Sequence, residues 1–171
     1  MSTLKIADRL NHVAYLTADT AATYRFYTEV LGFTLVAAVR GDRDPGMGAI
    51  RPHLHTLFAM RSGEAIAFFE IEGVELPRPD GLPMWSRHLA MSVDSHDELL
   101  AWRQRLIDHG VHPTPVTESS GTWYSIYFPD PNGILLELTY QARELGPGDA
   151  AAAARAVDEW TRARGQKVAV R

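Results

Sequence analysis

The chain has no cysteine among its 171 residues. Disulfides and thiolate metal sites are therefore excluded, and any bound metal has to be held by His, Asp or Glu. The lack of cysteine fits a reducing cytoplasm, which is the expected location. No apolar run approaches the roughly 18 residues of a membrane-spanning helix. The opening Met1-Ser2-Thr3-Leu4-Lys5 lacks the apolar stretch of a secretion signal. There is no basic block, and the net charge is −4, so neither nucleic acid nor a membrane is expected as a partner. What the chain does have is 46% apolar residues, enough for a packed core.

Hydrophobic periodicity orders the chain into two similar halves. His12–Leu16 reads as a strand, and Ala21–Leu31 as a helix with Tyr24, Tyr27 and Leu31 on one face and Gly32 as the stop. Strands follow at Phe33–Val39, Leu54–Met60 and Ala65–Ile71. Arg40–Pro52 has four Gly or Pro among residues 41–48 and reads as an inserted loop able to close over a cleft. After the linker Pro77–Pro83 the order repeats. His88–Val93 is a strand, and Ser95-His96-Asp97-Glu98 is a capping box before a helix that carries Leu99, Trp102 and Leu106 and ends at Gly110. Val111–Val116, Trp123–Phe128 and Ile134–Tyr140 read as strands. The expected class is α+β, two tandem β-α-β-β-β modules spanning residues 8–76 and 84–141. A C-terminal helix over 149–164 is capped by Asp149, with residues 165–171 frayed. Its stripe of Ala153, Ala156, Val157 and Trp160 needs a surface to cover it, either the domain or a second subunit, and a homodimer is expected.

The halves match in chemistry as well as in order. Asn11-His12-Val13 opens one and Arg87-His88-Leu89 the other, and Glu70 and Glu137 each lie in the closing apolar run. Taken alone, either histidine would read as a core residue bonded to a carbonyl. Matched in pairs with carboxylates, they read as ligands, because two imidazoles and two carboxylates suit a divalent ion and a carboxylate in an apolar strand is hard to bury without a cation, the alternative for Glu137 being the solvent face of an edge strand. Glu72 shares a face with Glu70 and reads as a solvated charge. His53 and His55 read either as a polar strand edge or, in the case of His55, as a proton donor or acceptor beside the substrate. Tyr127 reads on its own as core, and Trp123 and Tyr124 either as cleft lining or as packing. His96, His109 and His112 read as solvated.

These residues make the chain resemble the vicinal oxygen chelate superfamily, which includes glyoxalase I, methylmalonyl-CoA epimerase, fosfomycin- and bleomycin-resistance proteins and type I extradiol dioxygenases. The run Phe26-Tyr27…Leu31-Gly32-Phe33 is similar to its helix signature. The stretch from Ser125 through Asp130-Pro131-Asn132-Gly133 to Glu137 is similar to its closing motif. The resemblance implies paired modules curled into an open barrel around one divalent ion (Fe, Mn, Co, Ni or Zn) held by His12, Glu70, His88 and Glu137. The small-molecule substrate would chelate that ion through two oxygens. The first expectation is glyoxalase- or epimerase-type proton transfer by a lyase or isomerase, with Glu70, Glu137, His55 and Tyr127 as catalytic candidates. The second is extradiol cleavage of a catechol-like ring, for which His12, His88 and Glu137 suffice and Glu70 stays outside. The third is a resistance or binding protein of the same fold. Ala14 departs from the threonine usual in fosfomycin enzymes.

Overall fold

The computed structural model describes residues 7–43, 48–77 and 80–164. The expected fraying of residues 165–171 and part of each of the two expected loop segments lie outside the described residues. The first module runs β1 (His12–Leu16), α1 (Thr20–Arg25), a π-helical turn (Phe26–Val30), β2 (Thr34–Arg43), β3 (Ile50–Ala59) and β4 (Ala65–Ile71). The second runs β5 (His88–Ser92), α2 (His96–Asp108), β6 (Thr117–Ser119), β7 (Trp123–Pro129) and β8 (Leu135–Gln141), followed by α3 (Pro147–Ala163). Each module forms one open four-stranded mixed sheet, in the orders β1-β4-β3-β2 and β5-β8-β7-β6. The first strand of each is parallel to the last. No helix among the described residues is long and apolar enough to cross a membrane.

Alternation assigns each sheet one core face. Ile66 and Phe68 of β4 and Leu136 and Leu138 of β8 enter one buried cluster with Phe26, Tyr27, Leu99 and Leu106 from the helices. Polar contacts join the modules on this side. The Tyr27 hydroxyl donates to Asp130 (3.1 Å), and the Asn132 amide donates to Thr23 Oγ1 (3.1 Å). The Arg105 guanidinium takes the open carbonyls of Glu29 and Val30 at the end of the π turn (2.7 and 2.8 Å), groups a helix terminus leaves without partners.

Four expectations change. The first helix is not α-helical throughout: Leu31 N–H reaches back five residues to the Phe26 carbonyl (3.1 Å). That wide turn accompanies burial of the consecutive residues Phe26 and Tyr27, while Tyr24, expected on the buried face, is exposed. Residues 40–43 and 50–52 are not loop but the arms of a long β2–β3 hairpin with irregularities at Leu35/Ala37 and Gly41/Arg43. Val111–Val116 is not a strand. Pro113 and Pro115 lack the amide a ladder needs, and pairing begins at Thr117. Gly146 caps α3, and Asp149, three residues on, accepts from its amide (2.8 Å) and is held by Arg143. No residue of α3 is buried. Its Val157 and Trp160 are 59% and 61% exposed, so the apolar stripe is not covered by the domain.

Candidate metal centre

The second sheet places its histidine and carboxylate together. Ala90 pairs with Glu137 across β5–β8, so His88, Ala90 and Glu137 share the face opposite the core. Leu136 and Leu138 anchor β8 from behind, and Glu137 is only 6% exposed. His88 Nε2 stands 2.8 Å from Glu137 Oε2. His88 Nδ1 lies 2.9 Å from the Trp85 carbonyl, which only accepts, so Nδ1 is the donor and a neutral ring has a lone pair on Nε2. Lone pairs of nitrogen and carboxylate oxygen at this separation repel unless a cation, proton or metal lies with them. The pair therefore fits a divalent ion chemically.

Tyr127 faces Glu137 across β7–β8, with its ring 5.7 Å from that of His88 and edge-on to it. Burial, then the Glu137 charge, pushes the phenol above its ordinary range, so it stays protonated at neutral pH. Ser125 and Thr139 share this face and are hydrogen-bonded to each other (2.9 Å).

The first sheet repeats half of this arrangement. His12 Nδ1 lies 2.7 Å from Asn11 Oδ1, again an acceptor, which leaves Nε2 free. Its face is shared with Ala14, Ala67, Phe69, His53 and His55. His55 lies flat on Phe69 (centroids 3.9 Å apart, planes at 6°) and 6.4 Å from the His12 ring. Burial, then the neighbouring His12 and His53, lowers the His55 pKa below the usual histidine value.

Glu70 does not join this group. Backbone hydrogen bonds align the modules: Thr17 N–H to the Phe69 carbonyl matches Val93 N–H to the Thr139 carbonyl, both 2.9 Å. Phe69 thus corresponds to Thr139, Ala67 to Glu137, and Glu70 to Tyr140. Three residues from the matching place, Glu70 points to the helix side of the sheet, where its Oε2 accepts from Thr20 N–H (2.7 Å) at the start of α1. Among the described residues, no three His, Asp or Glu side chains converge on one point. His12 with His55, and His88 with Glu137, belong to separate sheets. The sequence reading passed over Asn11, although its place next to His12 was a signal. The Trp85 carbonyl leaves none, because any residue supplies one.

The family model for the glyoxalase/bleomycin resistance protein/dioxygenase superfamily matches residues 9–138. The chain is 34% identical over 140 residues to the uncharacterized protein YaeR of Escherichia coli, covering 78% of this chain and 96% of that protein. It is 31% identical over 129 residues to the putative ring-cleaving dioxygenase MhqA of Bacillus subtilis, covering 74% of this chain but 36% of that protein. A solved glyoxylase/bleomycin resistance protein/dioxygenase domain from Frankia sp. EAN1pec shares the fold with a TM-score of 0.63 at 24% identity, over 80% of this chain and 99% of that one.

Proposed function

The chain belongs to the glyoxalase/bleomycin resistance protein/dioxygenase superfamily, and from that footing we propose that it is a divalent-metal enzyme. Its small substrate presents two neighbouring oxygens, and the reaction is proton transfer of the glyoxalase or epimerase type. The observation that carries the metal reading is the His88–Glu137 pair, an imidazole nitrogen and a carboxylate oxygen 2.8 Å apart with the histidine's other nitrogen already engaged. His12, with the same Nδ1 anchoring, is the third donor. That His12 stands on the other sheet, and that no three donors converge in one chain among the described residues, supports a centre shared within a homodimer. His12 of one copy meets His88 and Glu137 of the other. Exposed Leu10, Val39, Ile50 and Trp85 give such a dimer apolar surface to cover.

Bound by His12, His88 and Glu137, a divalent ion would supply stabilisation of negative charge on the two substrate oxygens and so make the adjoining C–H more acidic. The protein's own part is proton handling. Tyr127, kept protonated beside Glu137, donates to a substrate oxygen, and the Glu137 carboxylate accepts from carbon. Ser125 and Thr139 offer hydroxyls that orient the substrate on the same face.

A second reading, ring-cleaving oxygenation of a catechol-like diol, is favoured by one observation. With Glu70 turned away and Ala67 in its place, the family ligand positions hold two histidines and one carboxylate. The likeness to MhqA points the same way.

The test is metal analysis of protein purified without added metal, followed by two assays on the loaded protein. One follows exchange of substrate C–H for deuterium in D2O with α-hydroxycarbonyl compounds. The other follows oxygen uptake with catechols. Exchange without oxygen uptake supports the first reading, and oxygen uptake replaces it with the second. Protein that stays metal-free after incubation with Fe, Mn, Co, Ni and Zn overturns both.

A further inference from the structure

His55 Nε2 is shut off from solvent and has no hydrogen-bond partner among the described residues. A nitrogen placed so is costly to leave unpaired, and an apolar environment offers it nothing. The ring is also fixed, since it lies flat against Phe69 and cannot turn away without giving up that stack. It shares the face of His12. The strand between them, β4, carries only methyl groups on this face in the span from Ala65, beside His12, to Ala67; Phe69 then lies beside His55. Nothing longer than an alanine therefore stands between the two imidazoles, which approach to 6.4 Å. Ala67 is the counterpart of Glu137, so the first sheet lacks its carboxylate in the place where it has a second imidazole within reach.

His53 is a different case. Its Nδ1 donates to the Arg51 carbonyl (2.8 Å), and its ring rests over Gly41, where an added Cβ would stand 2.6 Å from it. Its Nδ1 is anchored as in His12 and His88, but its Nε2 lies over the β2 backbone, 2.7 Å from where that Cβ would stand and on the far side of β3 from His12.

We infer that His55 is a further nitrogen donor to the ion, beside His12, in a set of His12, His55, His88 and Glu137. The inference rests on the metal reading proposed above and gives it a donor that the sequence pattern assigned to Glu70. Three imidazoles and one carboxylate favour a borderline divalent ion over Mg or Ca. Four protein donors leave two octahedral positions, the number that two substrate oxygens fill.

The experiment uses full-length protein labelled with 15N-histidine and titrated with Zn(II) alone, with the ring nitrogens followed by NMR. The expected result is that Nε2 of three histidines, His12, His55 and His88, moves to the metal-bound range while His53 stays. His55→Ala should remove one of the three signals and weaken Zn(II) binding at least about tenfold, no less than the loss of a group that only orients a ligand. His53→Ala should leave all three. If His12 and His88 shift in the unaltered protein and His55 does not, the inference is overturned while the metal reading stands. If no histidine shifts, the metal reading fails, and the inference with it. The decisive observation is made on the unaltered chain, so it does not depend on whether His55→Ala folds.

Discussion

Glu70→Ala separates a structural carboxylate from a ligand. In the fold Glu70 accepts from the Thr20 amide at 2.7 Å, in the first turn of α1, where amides have no partner within the helix. Removing a side-chain acceptor at a helix start costs roughly 0.5 to 2 kcal/mol, and partial exposure of Glu70 puts the value near 1 kcal/mol, since water replaces part of the bond. In a domain of this size 1 kcal/mol lowers Tm by about 2–4 °C. The same change should leave Zn(II) affinity within about twofold of the unaltered protein, because the carboxylate lies on the opposite face from His12. The assay is thermal unfolding of the metal-free protein together with a competitive Zn(II) titration. Glu137→Ala, run alongside, should lose tight binding. A fall of tenfold or more for Glu70→Ala, equivalent to about 1.4 kcal/mol, with Tm unchanged, would refute the face assignment and return Glu70 to the ligand set.

Asn11→Ala removes the acceptor that orients His12 and should weaken Zn(II) binding by about 10–100-fold without unfolding the protein; unchanged affinity in the titration would mean that Asn11 does not hold the ring. His12→Ala and His88→Ala should each bind little metal, yet mixing them under subunit exchange should restore one intact site per mixed dimer; no recovery in bound metal would place each centre within one chain. Burial pushes the Asp130 pKa above its ordinary value, so the folded state binds this proton more readily than the unfolded chain does. Its contribution is fully present below the unfolded value near 3.8 and is lost as pH rises through the folded one. Tm of the unaltered chain relative to Asp130→Asn should therefore fall as pH rises from about 4, and a flat difference would contradict the assignment.

Much of the fold was legible in the sequence because periodicity reports which side of an element is apolar. The matched order of strands and helices, Gly32 and Gly110 as helix stops, and the Ser95–Glu98 cap all follow from local rules. The closeness of His88 and Glu137 was legible too, since the strand period puts Glu137 on the face opposite its flanking leucines, the face that His88 shares. Its counterpart was not. Glu70 lies in an equally apolar run, and its shift of three residues from the Glu137 position exists only in the register of β4 against β1, set by backbone hydrogen bonds between residues 52 to 54 apart. An odd shift turns a side chain to the other face, which sends Glu70 to a helix N-terminus and leaves Ala67 on the open face. The closeness of His12 and His55 is likewise a product of the strand order β1-β4-β3 and its register, which no spacing along the chain encodes. Local sequence determined which residues are chemically able to hold an ion; only the register and strand order of the sheets decided which of them face the same space.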